Sequence, residues 1–155
     1  MKKLFATGVI LLTIMSSYGQ QLPDFHFQNA RGEVVSQATL PEGQPLVIFF
    51  FDLYCDACQQ QAEWISAHLD AFQDVTLLWV MYGPITEPEP FVEFKNTYFK
   101  DAPNVLFCAD GQFMFDIWFG YSEAGSLFIY DESRNFLAKA ESIMPASSIL
   151  KVMGK

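Results

Sequence analysis

Basic residues are scarce. Nine Lys and Arg stand against eighteen Asp and Glu, a formal net charge of −9. So acidic a chain has no electrostatic footing on nucleic acid or on an anionic membrane surface, and neither is expected as a partner. Histidine is scarcer still: His26 and His68 are the only two. A copper carrier built from two cysteines and one histidine would need a histidine in the C-terminal half, and none follows His68. No metal and no other cofactor is therefore expected, and both histidines read as surface or locally satisfied residues. Repeats, low-complexity tracts and linkers rich in Ser, Gly or Pro are absent too, which argues for one folded domain. The N-terminal apolar run, Leu4 to Met15, is only 12 residues long. A membrane-spanning helix needs ~20.

That short run has the look of an export signal. Lys2 and Lys3 precede it, and the small, mildly polar Ser16-Ser17-Tyr18-Gly19 follows it. A basic head, a short apolar middle and a small-residue exit are the parts of a secretory signal peptide. Cleavage after Gly19 is expected, leaving Gln20 first and a domain over residues 20–155. With no cysteine beside the cleavage point, attachment of a lipid there is excluded. The expectation is a soluble protein of a bacterial periplasm, with no stable membrane insertion once the signal is gone. Since the signal holds two of the basic residues and no acidic ones, the mature chain carries seven against eighteen, a net −11.

Three cysteines in an exported chain are informative, because an oxidising compartment leaves thiols either paired or reactive. Cys55 and Cys58 are close enough to pair locally; Cys108, after the apolar Val105-Leu106-Phe107, reads as a buried free thiol.

The pattern around them alternates strands and helices. Short extended pieces are expected at Phe25–Gln28 and Glu33–Val35, around the turn Asn29-Ala30-Arg31-Gly32. Pro45 to Phe51 is apolar throughout rather than alternating, the mark of a strand covered on both faces. From Asp56 to Phe72, Ala57, Ala62, Ile65, Leu69 and Phe72 recur at helical steps. A second buried strand is expected over Val75–Met81 and a helix from about Pro90 to Phe99, with Pro88 and Pro90 tolerated at its start. A short strand at Val105–Phe107, a short helix at Gln112–Phe119, a hairpin of Ser126–Tyr130 with Asn135–Ala140, and a helix from Pro145 to Met153 complete the chain. The order predicts a mixed sheet with helices on both faces.

This spacing places Cys55 just past a central strand and at the mouth of a helix. The first-turn N–H groups and the helix dipole favour an anion there, and strand carboxyl ends open into a crevice where a partner can dock. A Cys55 thiolate could attack a disulfide, with Cys58 resolving the product. Asp56, between the two sulfurs, opposes the thiolate by like charge. The other reading of the same pair is an inert structural staple. The many aromatics read mostly as core, with a share of Trp118, Phe119 and Tyr121 expected at a docking surface.

The order Leu22-Pro23-Asp24-Phe25, Arg31-Gly32-Glu33-Val34-Val35, the apolar strand, then Tyr54-Cys55-Asp56-Ala57-Cys58 resembles the TlpA-like branch of the thioredoxin superfamily, from Leu22 to about Met153. The resemblance implies a thioredoxin-like α/β three-layer sandwich with N-terminal extension strands. It also implies a periplasmic thiol–disulfide oxidoreductase, with Cys55 as nucleophile, Cys58 as resolving thiol, protein thiols and disulfides as partners, and a membrane electron donor. Five positions depart from the family pattern. Tyr54 replaces Trp and Ala57 replaces Pro beside the cysteines. Gln61 stands where many relatives have a buried carboxylate, Phe49 where thioredoxins have an acid, and Gly125 where the cis-proline falls. Because a cis peptide before a non-proline residue costs ~3 kcal/mol, a trans or rearranged loop is expected there. Glu63 lies too far around the helix to replace the missing acid. The neighbouring peroxidase branch wants Thr or Ser three residues before its cysteine; Asp52 stands there, so peroxidase activity is not expected. Two functions stay open: a thiol–disulfide exchange enzyme, and a binding module that kept the fold and a structural Cys55–Cys58 disulfide.

Overall fold

The structure is a computed structural model in which residues 20–155 are described; the expected signal segment, 1–19, lies outside the described residues. Seven strands form one sheet: β1 (His26–Gln28), β2 (Val34–Ser36), β3 (Leu46–Phe51), β4 (Thr76–Tyr82), β5 (Val105–Asp110), β6 (Leu127–Tyr130) and β7 (Phe136–Ala140). Their order across the sheet is β2-β1-β5-β4-β3-β6-β7. The neighbours β3/β4 and β4/β5 run parallel, and every other pair is antiparallel. All six residues of β3 are buried, as its unbroken apolar run predicts for a strand covered on both faces.

Among the described residues, four α-helices accompany the sheet: α1 (Asp56–Ser66), α2 (Pro88–Phe99), α3 (Phe115–Phe119) and α4 (Ala146–Val152). Alternate strand residues divide the interior into two cores. Val47, Phe49, Phe51, Leu77 and Trp79 pack with α1, α2 and α4 on one face. Leu46, Ile48, Phe50, Leu78 and Val80 pack on the other with α3 and the N-terminal residues Leu22, Phe25 and Phe27. The expected three layers are present, with the second face closed as much by the N-terminal segment as by a helix. Among the described residues, no helix is long and apolar enough to cross a membrane.

Three elements differ from the sequence reading, each for a local reason. The helix expected over Asp56–Phe72 stops at Ser66 and gives way to a 3-10 turn at Leu69–Phe72. Ser66 Oγ donates to the Glu63 carbonyl and His68 Nδ1 meets the Trp64 carbonyl, so side chains compete for the helix's own acceptors. Strand β5 runs on to Asp110 because Cys108, Ala109 and Asp110 stay in register with β4. Asp110 then shortens the following helix: its carboxylate accepts the N–H groups of Met114 and Phe115, both at 2.8 Å. Phe113 is held in a left-handed turn (φ 56°), so helical geometry starts only at Phe115.

Phe115 is the keystone of the second face. Its ring stacks on Phe50 at 4.0 Å and on Phe119 at 4.5 Å, and lies 5.9 Å from Phe27. Phe115→Ala is expected to cost about 3–5 kcal/mol by opening a cavity between α3 and β3. Urea unfolding measures it; a loss under about 1 kcal/mol would contradict this packing.

Candidate active site

Strand β3 delivers the chain to the site. Beyond Phe51, Asp52 makes a tight turn: its Oδ1 accepts the Tyr54 N–H at 2.8 Å and its carbonyl accepts the Cys55 N–H at 3.3 Å. Gln59 Nε2 donates to the Leu53 carbonyl at 3.0 Å and ties the same turn to α1. Cys55 thereby becomes the N-cap of α1, and its Sγ accepts the Cys58 N–H at 3.2 Å. A sulfur takes the capping role that a hydroxyl or carboxylate usually plays, where the helix end favours negative charge.

The two cysteines sit in unlike surroundings. Cys55 is half-buried, whereas Cys58 has 1% of its surface exposed and packs with Ala62 and Ile65 in the α1-side core. Burial, helped by the hydrogen bond the Cys58 thiol donates to Cys55 and by the charges of Cys55 and Asp52, pushes the Cys58 thiol up to about 12; a backbone hydrogen bond from Asp52 acts the other way. The accessible sulfur is the natural attacker and the buried one holds its proton.

Cys108 is separated from both. Its side chain belongs to the α3-side core, so the sheet lies between it and Cys58. The thiol is fully buried, points at the Trp79 carbonyl at 3.7 Å, and is raised well above the ordinary range by burial and by Asp110. Among the described residues, no three His, Cys, Asp or Glu side chains gather as a metal site would require.

Three of the positions that depart from the family pattern, Gln61, Phe49 and Gly125, have structural work of their own. Gln61, 2% exposed, makes a two-way clamp: its Nε2 donates to the Met144 carbonyl at 2.9 Å and its Oε1 accepts the Met144 N–H at 2.7 Å. Both ends of the amide are used to fix the segment before α4, and an amide cannot shuttle a proton. Glu63 is on the exposed side of α1. Phe49 is buried and stacks on Trp79 at 4.4 Å. At Gly125 φ is +102°, a region that favours glycine, and no cis peptide occurs among the described residues. Its N–H donates to the Phe50 carbonyl at 2.8 Å, which extends the β6–β3 ladder toward the site. Asp56 and Ala57 are exposed, and Tyr54 is 77% exposed.

A cleft of about 220 Å³ opens beside Cys55 at the carboxyl ends of β3 and β4, walled by Asp52, Tyr54, Met81, Tyr82, Pro84 and Glu87. Tyr82 and Phe113 meet edge to face at 5.3 Å and are 54% and 55% exposed. Phe113 packs over Gly83, where a Cβ would stand 3.4 Å from its ring. Of the aromatics expected at a docking surface, Tyr121 is exposed, Trp118 is half-buried and Phe119 is buried in the α3 core. The sequence reading missed Tyr82, Glu87 and Phe113. The proline-broken run after β4 was a usable signal for the first two, since it leaves the sheet at the end where sites form.

This architecture is the thioredoxin-like fold. Similar solved structures include a thioredoxin-like protein from Aeropyrum pernix (16% identity, TM-score 0.70, covering 84% of this chain and 88% of that one). Another is a secreted Mycobacterium tuberculosis disulfide oxidoreductase homologous to E. coli DsbE (17%, TM-score 0.65, 84% and 92%). A third is a putative thiol:disulfide interchange protein DsbE from Chlorobium tepidum (17%, TM-score 0.69, 88% and 98%). No curated protein matches the sequence. The model of the AhpC/TSA family matches residues 18–111, and the chain belongs to that family.

Gln61→Glu tests the clamp. The introduced carboxyl can still accept from Met144 N–H, but it can donate to the Met144 carbonyl only while protonated. Burial holds its pKa above the ordinary ~4.3. Stability is therefore expected to be near that of the parent below about pH 4. It should fall by roughly 2 kcal/mol as pH rises through the raised pKa and an uncompensated charge forms. Urea midpoints across pH measure this; a difference from the parent that does not change with pH would contradict it.

Proposed function

We propose that this protein is a thiol–disulfide oxidoreductase, exported to the periplasm by residues 1–19, that exchanges electrons with cysteines of other proteins. The carrying observation is Cys55, half-exposed at the N-cap of α1, with the Cys58 N–H aimed at its sulfur from 3.2 Å. The Cys55 thiolate attacks one sulfur of a substrate disulfide, forming a mixed disulfide and expelling a substrate thiolate that takes up a proton. Cys58 then loses its proton and attacks Cys55 Sγ. The Cys55–Cys58 disulfide forms, and the second substrate thiol leaves. Two electrons pass from the dithiol to the substrate, and a separate reductant, for which a membrane electron donor is the fitting class, must restore them. Asp52 leaves no hydroxyl three residues before Cys55, which favours a protein disulfide over a peroxide as oxidant.

A second reading, a binding module that has lost exchange, draws support from Gln61, whose amide is committed to Met144 and offers no proton acceptor to Cys58. On the exchange reading the same feature makes resolution the slow step. Cys58→Ser should trap a mixed disulfide through Cys55, and Cys55→Ser should abolish turnover of insulin disulfides. In the parent, release from a preformed Cys55–thionitrobenzoate disulfide should quicken about tenfold per pH unit from pH 7 to 9. Burial, the largest cause of the raised Cys58 pKa, persists when Cys55 is in the mixed disulfide, so Cys58 remains mostly protonated over that range and its thiolate fraction grows in that proportion. Absence of any trapped adduct, or a flat pH profile, would count against this mechanism.

A further inference from the structure

The cleft beside Cys55 has features the exchange chemistry does not use. Two tyrosines and a methionine wall it, and two carboxylates, Asp52 and Glu87, stand at its sides. Neither carboxylate has a cationic partner: among the described residues the ion pairs within 4 Å are His26–Asp24, Arg31–Glu33, Lys139–Glu141 and Lys155–Asp74. Glu87 is the N-cap residue of α2, yet its side chain makes no capping hydrogen bond, so its carboxylate is free to face outward. Asp52 spends Oδ1 on the Tyr54 N–H. Asp56, exposed in the first turn of α1 and next to Cys55 in the chain, adds to the negative charge near the dithiol. At about 220 Å³ the cleft is smaller than the ~300–1,000 Å³ of a drug-sized ligand's site, and suits one long side chain.

Resting on the exchange reading, we infer that this cleft receives a lysine or arginine side chain of the substrate polypeptide, one or two positions from the cysteine undergoing exchange. Tyrosine faces attract a cation, the aliphatic stem packs on Met81 and Pro84, and the charged end reaches Glu87 and Asp52. Because Tyr54 is both a wall of the cleft and the residue before Cys55, a side chain seated here brings its own neighbouring cysteine toward the attacking sulfur. An acidic residue in the same place meets Asp52 and Glu87 and is turned away. The selectivity is for a basic sequence next to the target cysteine.

Three labelled peptides test this, each with Ser in place of the target cysteine and differing only in the adjacent residue, Arg, Ala or Glu. At low ionic strength fluorescence anisotropy should rank them Arg, Ala, Glu, with the Arg peptide bound about five- to tenfold more tightly than the Glu peptide, and salt should compress the difference. Glu87→Lys should invert the Arg and Glu order. Glu132→Lys makes the same change of charge in the β6–β7 turn, at the far end of β3, and should preserve the order. Equal binding of the three peptides overturns the inference. So does an equal effect of the two substitutions, which would assign the preference to the overall field of an acidic chain. Reduction of the corresponding cysteine peptides, offered as mixed disulfides, separates this inference from the one beneath it. Ranked binding without turnover supports the cleft and removes the exchange function; turnover at equal rates overturns the cleft alone.

Discussion

A strand buried on both faces can surface only at its ends. That constraint on β3 organises this protein. Hydrogen-bonded to β4 on one side and β6 on the other, β3 sends alternate side chains into two separate cores. Its carboxyl end is where the chain must turn outward, and the Asp52 turn converts that exit directly into the first turn of α1. Cys55 is thus half-exposed and backed by helix N–H groups, while Cys58, one turn on, faces the core. The unequal exposure of the two sulfurs follows from where a fully buried strand stops and a helix begins. The same division of the interior keeps Cys108 on the other side of the sheet from Cys58.

The surroundings of the dithiol trade proton handling for rigidity. A buried carboxylate near Cys58 would give its proton somewhere to go; Gln61 instead bonds both backbone groups of Met144 and locks the entry to α4 against α1. Gly125 continues the β3–β6 ladder in a conformation that suits glycine. Both choices favour a fixed scaffold, and on the exchange reading the first leaves solvent or the substrate to accept the proton that Cys58 loses. On the other side of Cys55, the strand ends open into a cleft with carboxylates and aromatic rings at its edge. Carboxylates at that edge, without a cationic partner among the described residues, make a surface that attracts a basic group.

Most of the scaffold was legible in the sequence because β3 and β4 are continuous apolar runs and α1 has a clear helical period. The dithiol was legible for the same reason, since its place follows from those two elements. What escaped were features set by single side chains. The halt of α1 at Ser66 depends on Ser66 and His68 competing for carbonyls, which leaves no trace in a hydrophobic pattern. The late start of α3 depends on one carboxylate, Asp110, reaching two N–H groups. Gln61 could be recognised as an unusual residue for its position, but its partner is 83 positions away at Met144, beyond any local signal. Tyr82, Glu87 and Phe113 converge only because two strand ends and a turn happen to meet.

The central claim is that Cys55 and Cys58 form a working redox couple rather than a staple. The midpoint potential of that couple, measured by quantifying free thiols across glutathione or dithiothreitol buffers, decides it most directly. The account predicts a value in the range of known exchange proteins, between about −120 and −270 mV; a value below about −300 mV, where structural disulfides lie, would contradict it.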